Sequence, residues 1–271
     1  MPTQAAVTWF GISRQAYFQA KQRQQQQEAE NQLILNLVKE KRRLHPQMGG
    51  RKLYHELRPC WENLEITRGR DAFFDLLRAH NLLIVPKRNR RRTTLAGSWR
   101  CPNRLVGLTL ATTHQAWVGD ITFITTETGF VYLALLTDAF SRFIVGYDIS
   151  ASLATEGCLR ALQLAINQAH CPVTGLIHHS DHGVQYTSWS YRDCLQEHRL
   201  LPSMGEVGNC YDNALAERMN GILKNEYGLD DLFVNLAHAQ QAVAEAVWLY
   251  NYDRPHLSLG YAKPAEIHFD N

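Results

Sequence analysis

Residues 116–150, AWVGDITFITTETGFVYLALLTDAFSRFIVGYDIS, hold three runs rich in β-branched and aromatic residues, divided at Glu127-Thr128-Gly129 and at Phe140-Ser141. Links this short join antiparallel neighbours, so the stretch reads as a three-stranded meander. A period of two puts Val118, Asp120, Thr122 and Ile124 on one face of the first strand. A carboxylate inside so apolar a strand is costly unless it is paired or holds a metal ion.

Further along, helix and strand alternate. A helix through ATEGCLRALQLAINQAH is followed by a buried strand in TGLIHHSD, a helix around SWSYRDCLQEH, a short strand LLPSM and a helix through Glu217. An antiparallel meander followed by alternating helix and strand is the element order of an α/β, RNase H-like mixed sheet flanked by helices. In that order the first strand, the fourth strand and the last helix converge, and they carry Asp120, Asp181 and Glu217. Sixty residues separate the first pair and thirty-five the second. Taken singly, Asp181 before Gly183 could be a turn cap, and Asn213, Glu217, Asn220 or Gly221, and Lys224 could form an ordinary solvated helix face. Taken together, three carboxylates on convergent elements can hold two divalent ions for in-line phosphoryl transfer.

His178, His179 and His182 invite a zinc reading. Neighbouring strand residues point to opposite faces, which splits the group and argues against it. His182, beside Asp181, is a candidate to position phosphate or water. Six cysteines without a C-x-x-C pair suggest neither a zinc ribbon nor a disulfide framework and are expected to be reduced and mostly buried.

The net charge of +2 conceals an asymmetry. Residues 1–104 carry 20 Lys and Arg against 8 Asp and Glu, leaving 8 and 18 for residues 105–271. The basic part should seek phosphate. Within it, Leu33, Leu37 and Leu44 with Ile34 and Val38 mark an amphipathic helix after KQRQQQQ. RKLYHELRPC reads as a second helix ended by Pro59, and GRDAFFDLLRAHNLL as a third. Short Arg-rich helices joined by Gly-containing turns suggest a helix-turn-helix-like DNA-binding region, with Arg70 as one contact. Residues 86–104 lack periodicity, and Lys87, Arg88, Arg90, Arg91 and Arg92 there would neutralise phosphates. The expected organisation is a helical region at 1–85, a basic linker at 86–110, a catalytic core at 111–228, and a C-terminal helix and tail at 229–271. The tail after Pro255 looks extended, with Arg254 and His256 as candidate phosphate contacts. No apolar run reaches 18 residues and no charged-then-apolar leader is evident, so a cytoplasmic, nucleoid-associated protein without a membrane span is expected.

The strings WVGDITFI, HHSDHGVQYTS, NCYDNALAERMNGILKNE and YNYDRPHLSLGYAKPAEI together resemble the DDE transposases of bacterial insertion sequences, which belong with the retroviral integrase cores. The OrfB products of elements with two overlapping frames are the nearest likeness. GISRQAYF and MGGRKLYHELR extend the likeness towards the N-terminus. The resemblance implies Asp120, Asp181 and Glu217 as a triad for two Mg²⁺ ions, with Mn²⁺ as a substitute. It implies metal-dependent strand cleavage at element ends and 3′-hydroxyl strand transfer on double-stranded DNA. It also implies a homo-oligomer on DNA, and either an OrfA-type partner or a frameshift fusion. Lys224, with Asn213 and His182, would contact DNA near the triad. An RNase H-like nuclease without strand transfer and a DNA-binding regulator of transposition are the alternatives.

Overall fold

The computed structural model describes residues 13–84, 99–205 and 214–270. The chain divides into two compact units, Met1–Leu44 with Met48–Ile84, and His45–Gln47 with Val85–Asn271. Lys87, Arg88, Arg90, Arg91, Arg92 and Asn213 lie outside the described residues. No helix among the described residues is long and apolar enough to cross a membrane.

The first unit is built from α1 (Arg14–Leu44), α2 (Gly50–Glu62) and α3 (Arg70–Ala79). Its core gathers Ile34, Leu35, Val38, Leu53, Leu57, Trp61, Phe73 and Leu77. The buried stripe of α1 therefore runs through 34, 35 and 38, whereas Leu33 and Leu44, expected inside, are about half exposed. Pro59 does not end α2. It lies in the last turn, where its missing N–H and its ring cost one i→i−4 bond to the preceding turn, and that cost is offset by Trp61 beyond it, fully buried against Phe73 with ring centroids 5.4 Å apart. Gly50 packs closely under Phe74: a Cβ there would come within 2.9 Å of the ring, which would have to shift. Arg70 is exposed at the start of α3, its Nε 3.1 Å from Asp71 Oδ1.

The second unit is a five-stranded mixed sheet of order β3-β2-β1-β4-β5. Its strands are β1 (Ala116–Thr126), β2 (Gly129–Asp138), β3 (Ile144–Ser150), β4 (Ile177–Ser180) and β5 (Leu201–Met204). β1, β2 and β3 form the antiparallel meander read from residues 116–150, with Glu127-Thr128 as a two-residue turn. β4 runs parallel to β1, and β5 parallel to β4. The intervening helices are α4 (Thr155–Gln168), the short α5 (Val184–Thr187), α6 (Trp189–Glu197) and α7 (Ala214–Glu226). This is the expected RNase H-like order.

The two faces of the sheet bury different partners. Trp117, Leu136 and Val145 pack with Cys158, Ala161 and Leu162 of α4 and with Tyr191 and Leu195 of α6. Ile124, Leu133 and Leu135 pack with Met219, Ile222 and Leu223 of α7 and with Val243 and Val247 of α8 (Leu236–Tyr252). Gly146 is required where β3 meets α4, because a Cβ would lie 2.2 Å from the Ala161 carbonyl oxygen. The tail after Pro255 is not extended: a 3₁₀ turn at Leu257–Leu259 leads into α9 (Pro264–Phe269), with Pro264 at the helix start, where its missing N–H costs nothing. Nor is Arg254 available to phosphate. It is 2% exposed and forks onto Glu226 through two bonds of 2.8 and 2.9 Å, and His256 is also buried. Of the five cysteines described, all free, only Cys158 is buried, while Cys60 and Cys171 are exposed, contrary to the expectation of mostly buried thiols.

Candidate active site

The β1–β4 ladder explains why two distant carboxylates meet. Pairing runs from Ala116↔Ile177 to Gly119↔Ser180 on two adjacent parallel strands, whose spacing is about 4.8 Å, so Asp120 on β1 stands beside Asp181, the first residue after β4 ends. Both line one small pocket with Thr122, Phe123, Tyr132, Gly183 and Gln185. Asp181 combines the two roles open to it in the sequence. Its Oδ1 accepts a 2.9 Å bond from the Gly183 amide, a turn-capping contact, while its carboxyl still faces the pocket.

The third carboxylate arrives on α7, whose Ala216 packs with Ala116, Val118 and Ala139. Glu217 is exposed on the first turn and does not line the pocket. One turn on, Asn220 reaches Asp120 directly, Nδ2 donating to Oδ2 at 2.7 Å. Among the described residues no three His, Cys, Asp or Glu side chains form a ready-made metal cage. The structure thus brings Asp120 and Asp181 together in the pocket and leaves Glu217 outside it on the first turn of α7, with a small effect of its charge at Asp120.

Electrostatics single out Asp120. Burial pushes its carboxyl up to about 7, the Asp181 charge adds to this, and Glu217 contributes a smaller share. The Ile121 amide and Asn220 pull the other way. An oxygen-only donor set with this much like charge suits a hard dication such as Mg²⁺ and not zinc. The Asn220 Oδ1 atom, buried and without a hydrogen-bond partner among the described residues, is a further polar group awaiting a donor.

Lys224 lies two turns beyond Glu217, half-buried, with Nζ 4.1 Å from the centroid of the Phe123 ring. Burial lowers its pKa, while Asp230 and Asp120 oppose that shift. The polar side of α7 is therefore turned partly into the sheet and is not an ordinary solvated face. His182 donates through Nε2 to the Gly205 carbonyl at 2.6 Å, and its Nδ1 is buried without a partner among the described residues. His178 and His179 do separate. His178 pairs with the Tyr191 hydroxyl at 2.8 Å and His179 with Ser203 Oγ at 2.9 Å. Burial depresses His178 to about 3, so it stays neutral. The sequence placed Asn220 on the polar side of α7 without identifying it as the partner of Asp120. The signal was its i+3 spacing from Glu217, which Gly221 at i+4 obscured.

The integrase core domain family matches residues 112–210, and a second integrase core domain family matches 198–264. The insertion element IS600 31 kDa protein of Shigella sonnei is 35% identical over 263 residues, covering 94% of each chain. The transposase for insertion sequence element IS629, also of Shigella sonnei, is 41% identical over 152 residues, 56% of this chain and 51% of that one. A simian T-cell lymphotropic virus intasome in complex with PP2A regulatory subunit B56 gamma shares the fold, with a TM-score of 0.50 and 18% identity across 82% of this chain and 71% of that one. The chain belongs to the DDE transposases of bacterial insertion sequences, within the integrase-core superfamily. That superfamily is one of polynucleotidyl transferases.

Proposed function

We propose that this protein cleaves DNA strands at the ends of an insertion element and transfers the freed 3′-hydroxyl to another phosphodiester. The observation that carries the reading is the pair Asp120, on β1, and Asp181, just past the end of the parallel β4, in one pocket, with Asp120 raised to about 7. Asp120, Asp181 and Glu217 would hold Mg²⁺, two ions with Mn²⁺ as a substitute, whose charge stabilises the attacking and leaving oxygens of phosphoryl transfer.

The chain's own side chains set the conditions. Asn220 aligns the Asp120 carboxyl through Oδ2, and the Gly183 amide fixes one oxygen of Asp181. Lys224, held on Phe123 within the field of Asp120, supplies a cation for a substrate phosphate. His182 anchors the loop after β4 to Gly205. No covalent enzyme intermediate is needed. The helices at 1–85, with Arg70, and the basic segment at 86–110, with Lys87, Arg88, Arg90, Arg91 and Arg92, would bind duplex DNA. Asn213 would join the contacts near Glu217. The active form would be a homo-oligomer on DNA, working with an OrfA-type partner or as part of a fusion.

A disintegration assay tests this with least demand on end recognition, since it reverses strand transfer on a branched DNA. Metal-dependent resealing by the wild type, lost in Asp120→Asn, Asp181→Asn and Glu217→Gln while DNA affinity persists, is the expected outcome. Hydrolysis without joining would assign a nuclease. Full turnover in any one variant would remove that residue from the triad.

A further inference from the structure

Residues 105–271 must meet DNA with few cations, since they hold 8 Lys and Arg against 18 Asp and Glu. Four of the eight are committed within the fold: Arg254 to Glu226, Arg160 to Asp148, Lys263 to Asp253, and Arg142 to the Ala139 carbonyl. Arg218 and Lys224 sit on α7. The last two, Arg192 and Arg199, line a single groove of about 480 Å³ along the outer edge of the sheet, between α6 and the start of β5.

Residues 99–104 add to the same edge. Trp99 lines the groove, with the Arg192 guanidinium 4.8 Å from its ring centroid. Exposed Arg104 bonds through Nε to the carbonyl of Pro202, another lining residue, and exposed Arg100 adjoins Trp99. Two guanidinium groups thus line the groove and two border it, against Asp193 as the acidic lining residue. At the mouth, Trp189 is 74% exposed. An indole left in water at the rim of a cationic groove is a stacking platform of the kind used for unpaired bases.

We propose that this groove binds a DNA strand carrying unpaired bases, its phosphates on Arg192, Arg199 and Arg104 and a base on Trp189. The proposal rests on the reading of the chain as a DNA-acting enzyme, but the groove shares no lining residue with the Asp120 pocket. An apolar protein face would desolvate these guanidinium groups without supplying counter-charge, whereas a strand brings one anion per nucleotide. Duplex DNA fits less well, because stacking within the duplex already covers the faces of its bases.

The test uses the full chain, fluorescein-labelled dT20 and fluorescence anisotropy in EDTA across a salt series. Trp189→Ala and the double variant Arg192→Ala with Arg199→Ala are compared with the wild type. Trp189→Ala should weaken dT20 binding roughly 5- to 150-fold with an unchanged salt slope, while duplex binding changes by less than about threefold. The double Arg variant should flatten the slope of log K against log salt by about 1.4. Because EDTA stops turnover, failure of the catalytic reading would appear in the disintegration assay and not here. Affinities within twofold of wild type for both groove variants overturn the proposal, and normal dT20 binding with lost self-association in sedimentation velocity would assign the groove to contact between copies.

Discussion

Replacing Asp120 by Asn should make the metal-free protein more stable relative to wild type as pH rises. The folded-state carboxyl sits at about 7 because of burial and the charges of Asp181 and Glu217, whereas in the unfolded chain it titrates near 3.9. Between those values the folded state retains a proton that the unfolded state has released, so stability falls with rising pH and levels off above about 7. Each pH unit in that window costs about 1.4 kcal/mol. From pH 5 to pH 7, with the slope halving as the folded carboxyl itself titrates, the wild type should therefore lose about 2.3 kcal/mol that Asp120→Asn does not, since the substituted amide keeps an oxygen to accept the Asn220 bond. For a unit of this size that corresponds to a gap in Tm widening by roughly 5–9 °C. Thermal unfolding of both proteins in EDTA at half-unit pH steps reads this directly, because subtraction cancels titrations common to both. Added Mg²⁺ should close the gap by stabilising the wild type preferentially. A gap that does not change between pH 5 and pH 8, or one that narrows, refutes the reasoning.

Asn220→Leu removes the 2.7 Å donor to Asp120, a charge-assisted bond worth about 1.5–3 kcal/mol, and should move the acid limb of the pH–rate profile upward by about one to two units; an unmoved limb in strand-transfer kinetics would show the bond to be idle. Arg254→Met strands Glu226 without its fork and should cost about 3–5 kcal/mol in urea unfolding, where a loss below about 1 kcal/mol would contradict a structural role for the pair. Gly146→Ala forces a Cβ against the Ala161 carbonyl at 2.2 Å and should destabilise by about 1–3 kcal/mol or more, seen as a lower urea midpoint with an unchanged slope.

The sheet was legible because its evidence is local. Strand pattern and link length alone ordered β1, β2 and β3, and the meeting of β1 with β4 was expected from the RNase H-like element order, while the parallel register that aligns them comes from the structure. What sequence could not supply were partners distant along the chain. Arg254 looked like a phosphate ligand because the Glu226 that neutralises it lies 28 residues away. Pro59 looked like a stop because the burial of Trp61 that sustains the last turn of α2 is a tertiary effect. Leu33 and Leu35 could not be ranked by periodicity, since both border the stripe and only packing puts Leu35 inside. The proximity of Asp120 and Asp181 was deducible, but the hold of Asn220 on Asp120 depends on how α7 is rotated against β1.

The ladder between β1 and β4 acts as a ruler. It fixes, by main-chain hydrogen bonding, the strand positions from which Asp120 and Asp181 follow, and the Gly183 amide holds Asp181 from there. Insertions at the Glu127-Thr128 tip should leave the pair in place. Deletion of a single residue from β1 ahead of Asp120 would turn its carboxyl to the opposite side of the sheet. Sequence drift around this site is therefore constrained in residue count before it is constrained in residue identity, so length variation among functional variants should collect at loop tips and be absent from β1 and β4.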